Sequence, residues 1–78
     1  MSSAGAERQT DPDERLDRLV HDLRTPLTII TGFADLLERH RQKLTEAQRD
    51  EYVQRIAQAA EDLRRILDEE RESRAAGA

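Results

Sequence analysis

Apolar residues alternately four and three positions apart run through most of this 78-residue chain. This heptad spacing puts them on one face of a long α-helix and is typical of helices that pack side by side. The members are Leu16, Val20, Leu23, Leu27, Ile30, Ala34 and Leu37, followed by Tyr52, Ile56, Ala59, Leu63 and Ile66. The spacing therefore predicts two amphipathic helices.

Residues that favour helix starts mark where both helices begin. Asp11 is suited to an N-cap, and Pro12 to the first helical position. Thr45 and Gln48 match a capping box, which predicts a second start at Glu46. The expected order is a mobile tail at 1–10, a hairpin at 11–71 with helix one over about 12–43 and helix two over about 46–71, and a mobile tail at 72–78.

The apolar face of each helix is wider than one seam needs. The additional apolar residues are Leu19, Pro26, Ile29, Phe33 and Leu36 in helix one, and Val53, Ala60 and Leu67 in helix two. One hairpin leaves part of this surface in water, whereas two hairpins together close a core. With one Phe, one Tyr and no Trp, the chain has little core of its own. The predicted fold is all-α, an antiparallel helical hairpin that dimerises into a four-helix bundle.

Composition argues against several functional classes. The net charge is −4 and basic residues alternate with acidic ones, so we expect no binding to nucleic acid. The chain has no cysteine and two separated histidines, so we expect no metal site and no bound cofactor. No apolar run approaches the roughly 20 residues of a membrane span, and no signal peptide is evident. We expect a cytoplasmic segment without membrane contact.

Proline inside the first helical pattern needs an explanation. Pro26 cannot donate to the carbonyl of Asp22, and its ring pushes against that carbonyl, at a cost of about 3 kcal/mol. Thr25 precedes proline and is also disfavoured in helical geometry, which loosens the turn that carries His21. Helical spacing places His21 near the middle of the polar arc, where a partner protein can reach it.

The surroundings of His21 suit nucleophilic chemistry. A neutral imidazole has one ring nitrogen with a free lone pair. Asp22 or Asp17 could accept the ring N–H and enrich the opposite nitrogen for attack on phosphorus, and Asp22 is the first choice. The alternative is that Asp22 pairs with Arg18. Thr25, one turn after His21, offers a hydroxyl that could position water against a phosphorylated imidazole.

The residues around His21 resemble the H-box of sensor histidine kinases. The matching residues are Val20-His21-Asp22-Leu23-Arg24-Thr25-Pro26-Leu27-Thr28, then Gly32 and Asp35-Leu36-Leu37. The resemblance covers roughly residues 11–70 and combines His, acid, Arg, Thr and Pro at fixed offsets within a heptad frame. It points to the dimerisation and histidine phosphotransfer domain of that family.

This resemblance implies roles for individual residues. His21 accepts the γ-phosphoryl of ATP and passes it to an aspartate of a response-regulator receiver domain. Asp22 is the activating base, Thr25 orients water in dephosphorylation, and Pro26 is a hinge. The residues implied to dock the receiver are Arg24, Thr28, Gly32 and Asp35. For Arg24 the alternative is an ordinary surface charge, and for Gly32 a tolerated glycine.

The sequence is also compatible with other functions. The chain contains no Asn-rich or Gly-rich nucleotide boxes, so ATP is expected to act through a histidine-kinase ATP-binding domain in cis or trans. The chain is then an excised domain or a small protein phosphorylated in trans, and whether it counts as an enzyme is not assigned. A different class is a non-catalytic dimeric adaptor that binds and inhibits a kinase or receiver. A plain oligomerising hairpin would leave Pro26 unexplained. His40 we take as structural.

Overall fold

Two long helices joined by a short turn form the computed structural model, which describes residues 12–77. Helix α1 spans Pro12–Arg39 and helix α2 spans Glu46–Gly77. They lie antiparallel, with a 3₁₀ turn at Arg41–Lys43 between them. The predicted all-α helical hairpin is confirmed. The expected tail at 1–10 and the N-cap at Asp11 lie outside the described residues.

Helix α1 ends earlier than the residue 43 expected from sequence. The backbone N–H of His40 still donates to the carbonyl of Leu36 at 2.9 Å, but the φ and ψ of His40, −120° and 21°, are not helical. The 3₁₀ turn then tightens the chain, and Leu44 is extended. The boundary prediction was wrong because the chain must reverse direction before Thr45, and no Gly or Pro marks that place.

Helix α2 continues beyond the expected end at residue 71. The guanidinium Nε of Arg74 donates to Glu70 at 3.0 Å, a pair four residues apart that stabilises the last turns. Alanines at 75 and 76 have the highest helix propensity of any residue. The expectation of a tail over 72–78 was therefore wrong for residues 72–77, which are helical.

A reciprocal capping box starts α2, as the sequence predicts. The backbone N–H of Gln48 donates to Thr45 Oγ1 at 3.0 Å, and the Thr45 N–H donates to Gln48 Oε1 at 2.9 Å. Two backbone donors that the first turn leaves unpaired are thereby satisfied. This cap fixes the residue at which the chain re-enters a helix.

One register relates the two helices along their whole contact. The rings of Phe33 and Tyr52 lie 5.0 Å apart between centroids, and Arg15 pairs with Glu70 at 3.7 Å. Arg15 is eighteen residues before Phe33 and Glu70 is eighteen residues after Tyr52, so both contacts belong to the same antiparallel register. By the same count, seven residues in each direction, Pro26 stands at the level of Ala59.

Pro26 and Ala59 are the two buried residues among those described. The small side chain of Ala59 on α2 thus lies at the level of the proline ring on α1, and both residues are buried there. Half-buried apolar residues continue this inner seam on α1 in both directions from Pro26. They are Leu19, Leu23, Ile30, Phe33 and Leu37.

The broad apolar arc of the chain is divided between two faces. The inner seam takes Leu19, Pro26 and Phe33, which the sequence suggested only as a widening stripe. Large apolar residues of the expected heptad seam lie instead on an open face, with Leu16 54%, Val20 46% and Leu27 51% exposed. On α2, Val53 and Leu67 are 55% and 49% exposed. These five residues define the open apolar face.

Neither described helix is both long enough and apolar enough to cross a membrane. Charged residues are frequent along both helices except over residues 25–34 of α1, which carry none. The large exposed apolar side chains are those of the open apolar face together with Ile29, which is 38% exposed and lies two residues, or about 200° around α1, from Leu27.

The burial of Ala59 gives a stability prediction. An Ala59→Leu variant would force a larger side chain into the seam at the level of Pro26 and should lower the free energy of unfolding by about 1–3 kcal/mol. Urea unfolding followed by helical circular dichroism measures this. Ala57→Leu, at an exposed position of the same helix, is the matched control and should change it by less than about 0.5 kcal/mol. Equal stability of both variants would contradict the register.

Candidate functional site

His21 lies on the outer side of α1 and is exposed. It follows the inner-seam residue Leu19 by two positions, which rotates it by about 200° around the helix axis, away from α2. No described side chain hydrogen bonds to its imidazole or forms an ion pair with it. The ring nitrogens of His21 are therefore open to a partner.

Polar residues one turn on either side of His21 share its face. Asp17 lies four residues before it and Thr25 four residues after it, and both are exposed. Thr28 and Gly32 continue this face toward the turn of the hairpin. The structure thus brings Asp17, His21, Thr25 and Thr28 together in one exposed row along α1.

Asp22 lies on a different side of α1 from this row. It lies about 100° around the helix from His21 and lines a groove between the two helices. The other residues lining this groove are Arg15, Arg18, Leu19, Ile66, Glu69 and Glu70. Within residues 12–77, Asp22 neither accepts a hydrogen bond from His21 nor pairs with Arg18. The carboxylate is exposed and unengaged one residue from the imidazole.

Pro26 links the histidine turn to the packing of the hairpin. Helix α1 stays α-helical through Pro26 although the carbonyl of Asp22 loses its backbone donor there. The sequence placed Pro26 only among the additional apolar residues of helix one, and its burial was not predicted. The heptad spacing of Leu19, Pro26 and Phe33 was the signal for it. Any rearrangement at this turn therefore also disturbs contacts with α2.

The residues expected to dock a partner follow His21 along α1. Thr28 and Gly32 line a shallow apolar groove with Ile29, Phe33 and Leu36. A Cβ atom placed on Gly32 would meet no atom within 4 Å, so packing within this chain does not require glycine at that position.

Two further residues expected to dock a partner, Arg24 and Asp35, are charged. Asp35 Oδ1 forms an ion pair with Arg39 Nε at 2.7 Å, and a spacing of four residues on a helix favours such a pair. Arg24 is exposed and has no ion-pair partner among the described residues. Within residues 12–77, the outer surface of α1 therefore combines the unpaired guanidinium of Arg24, an open imidazole, two threonines and a small apolar groove.

Residues 12–77 contain no group of three His, Cys, Asp or Glu side chains placed to hold a metal ion. His40 lies at the other end of α1, where its backbone carbonyl accepts from the N–H of Lys43 at 2.9 Å. It is nineteen residues from His21, or about 28 Å at the rise of an α-helix. The two histidines therefore belong to separate surfaces.

A family model matches the chain over residues 13–74, and its description is His Kinase A (phospho-acceptor) domain. The match covers both helices and the turn between them, and it includes the whole row around His21. No curated protein and no solved structure gives a significant match to the chain.

Proposed function

Because this chain belongs to the His Kinase A (phospho-acceptor) domain family, we propose that His21 receives a phosphoryl group and passes it to an aspartate of a response regulator. One observation supports this most directly. His21 is exposed, free of internal partners and backed by a helix whose opposite side packs on α2. A rigid helix thus presents a nucleophile to protein partners, while the hairpin itself binds neither ATP nor metal in this proposal.

The proposed phosphorylation is an in-line displacement at phosphorus. A ring nitrogen of His21 attacks the γ-phosphorus of ATP, a new N–P bond forms, and the bond to the ADP oxygen breaks with its electron pair on ADP. We propose that the carboxylate of Asp22, which is exposed and has no partner among the described residues, accepts the proton from the other ring nitrogen after the two side chains turn toward each other. ATP is brought by a histidine-kinase ATP-binding domain, in cis or in trans.

The onward step uses the same bond. A carboxylate oxygen of the receiver aspartate attacks phosphorus, the N–P bond breaks, and the imidazole recovers its proton. The groove at Thr28 and Gly32 supports receiver docking, because it is apolar, open and lies on the same face as His21. Arg24 and Asp35 flank this footprint and complete the proposed docking surface.

We propose that removal of the phosphoryl group from the receiver depends on Thr25 and Pro26 of this chain. The Thr25 hydroxyl lies one turn from His21 on the same exposed face and would orient a water molecule for attack. Pro26 weakens the helix at this turn and is held in the inner seam, so it would act as the hinge between states. Because the proposed phosphoryl donor, ATP, and the proposed receiver are intracellular, we propose that the domain works in the cytoplasm.

Dimerisation is proposed from the open apolar face. Only Pro26 and Ala59 are buried among the described residues, too few for a stable isolated domain. Side chains from both helices form the open apolar face, and a second copy of the same face would cover them in a four-helix bundle. His21 lies on another side of α1, so it stays accessible in that arrangement.

Labelling tests the phosphoacceptor directly. The chain is incubated with ATP and a histidine-kinase ATP-binding domain in trans, and intact mass shows one acid-labile phosphoryl group on the wild type. His21→Ala should lose the label completely because it lacks the nucleophile, whereas His40→Ala should keep it. Labelled His21→Ala, or no label on a folded wild-type dimer with several donors, would contradict the proposal and favour the adaptor interpretation.

Sedimentation equilibrium tests the dimer. Leu27→Glu puts a charge in the open apolar face and should convert the dimer to monomer, because the carboxylate would lose its hydration in the interface. Gln54→Glu adds the same charge at an exposed position of α2 and should remain dimeric. A monomeric wild type, or a Leu27→Glu variant that still dimerises, would count against it.

Pro26→Ala tests the hinge. Restoring the backbone donor removes a cost of about 3 kcal/mol, and losing the buried ring returns about 1–2 kcal/mol of it, so unfolding should become about 1–2 kcal/mol harder. Phosphorylation of His21 should slow, or its balance with dephosphorylation should shift. Thermal melting and single-turnover phosphorylation measure the two effects. An unchanged melting temperature together with an unchanged phosphorylation rate would show that Pro26 is not a hinge.

A further inference from the structure

Arg24 occupies an unusual electrostatic position one turn after His21. The residues three and four positions away from it on the helix are Val20, His21, Leu27 and Thr28, and none is acidic. Its side chain is exposed and has no ion-pair partner among the described residues. At helical spacing, His21 is thus the only ionisable side chain that Arg24 can meet.

Arg24 is one of five arginines among residues 12–77 without an ion pair, and it is the one of these five with no carboxylate three or four residues away. Six arginines form ion pairs with carboxylates at 2.7–3.7 Å, and most of these pairs lie three or four residues apart on one helix. They are Arg15, Arg39, Arg55, Arg64, Arg65 and Arg74. Arg24 differs because the sequence supplies no carboxylate at those spacings. Its guanidinium is therefore available to an anion that arrives from outside the chain.

The direction of helical side chains favours contact between Arg24 and a group on His21. Long side chains on an α-helix lean toward its N-terminus, over the turn that precedes their own Cα atom. Arg24 therefore leans back over the turn that carries His21. Arg18, three residues before His21, leans away from it and has Glu14 and Asp22 four residues to either side. Arg18 thus resembles Arg24 in exposure but differs from it in direction.

We propose that Arg24 binds the phosphoryl group once His21 is phosphorylated. Two N–H groups of the guanidinium would donate to two phosphoryl oxygens, the planar geometry in which arginine binds phosphate. This inference rests on the proposed function of His21 and goes beyond the docking role of Arg24. Arg24 is a positioning residue for phosphorylated His21, in the absence of any receiver.

Such a contact lengthens the life of the N–P bond. Negative charge is concentrated on the phosphoryl oxygens of phosphohistidine, and it decreases as the loose, metaphosphate-like transition state forms. A guanidinium on those oxygens stabilises the phosphorylated state more than the transition state for hydrolysis. Loss of Arg24 should therefore speed spontaneous hydrolysis at His21.

Chemical phosphorylation tests this without an ATP-binding domain or a receiver. In potassium phosphoramidate, a histidine nitrogen attacks phosphorus, an N–P bond forms to the ring, and ammonia leaves with the electrons of the broken bond. His21 and His40 are both exposed, so each should be labelled on the full chain. Phosphorus NMR, with single His→Ala variants to assign the signals, then follows the half-life at each site after the reagent is removed.

The expected result is specific to one site. Arg24→Gln should shorten the half-life at His21 about two- to fivefold, the range expected for an exposed charge pair, and leave His40 unchanged. Arg18→Gln should leave both half-lives unchanged. Arg24→Lys keeps the charge without the planar fork and should lie between wild type and Arg24→Gln. Circular dichroism confirms that each variant is folded.

An unchanged half-life at His21 in folded Arg24→Gln would overturn the inference, since a role in docking alone moves nothing when no receiver is present. An equal loss in Arg18→Gln would also overturn it, because general charge would then explain the effect. Failure of the proposed function would show itself elsewhere, as the absence of label from ATP on His21. The chemical assay reports on Arg24 in either case.

Discussion

The burial of Pro26 and Ala59 at the same level of the hairpin is the constraint on which the remaining structure depends. A proline ring lies where the facing helix offers a methyl group, and this fixes the rotation of α1 about its axis. Once that rotation is fixed, His21 must face outward, because it lies about 200° from the seam residue Leu19. The register contacts of Phe33 with Tyr52 and Arg15 with Glu70 maintain the same rotation along the hairpin.

Three surfaces of α1 thereby have separate roles. The inner seam holds α2, the open apolar face awaits a second copy in the proposed dimer, and the outer polar row carries His21 and Thr25. Because the surfaces lie on different sides of one helix, association and chemistry need not compete for the same side chains. The proposed hinge and the proposed nucleophile are five residues apart, so a change in packing at Pro26 is transmitted to His21 over less than two turns of helix.

Much of this hairpin could be predicted from its sequence, for identifiable reasons. Heptad spacing indicated two helices, and the side chains of Thr45 and Gln48 form the cap that their spacing predicted. The end of α1 was missed because no Gly or Pro marks it. The assignment of faces was missed because two apolar stripes of similar strength run side by side, and only tertiary contacts decide between them. The contact expected between Asp22 and His21 is absent from the described chain, since neighbouring residues on a helix do not face each other.

The most direct test of the central claim is hydroxyl-radical footprinting of the full chain across a range of protein concentrations, read out residue by residue by mass spectrometry. We predict that Leu16, Val20 and Leu27 become protected from oxidation as the protein concentration rises through the dimerisation range, while oxidation of His21 stays constant. Protection of His21 together with these three apolar residues, or no dependence on concentration at any of them, would show that a second copy does not cover one face of α1 while leaving the histidine free.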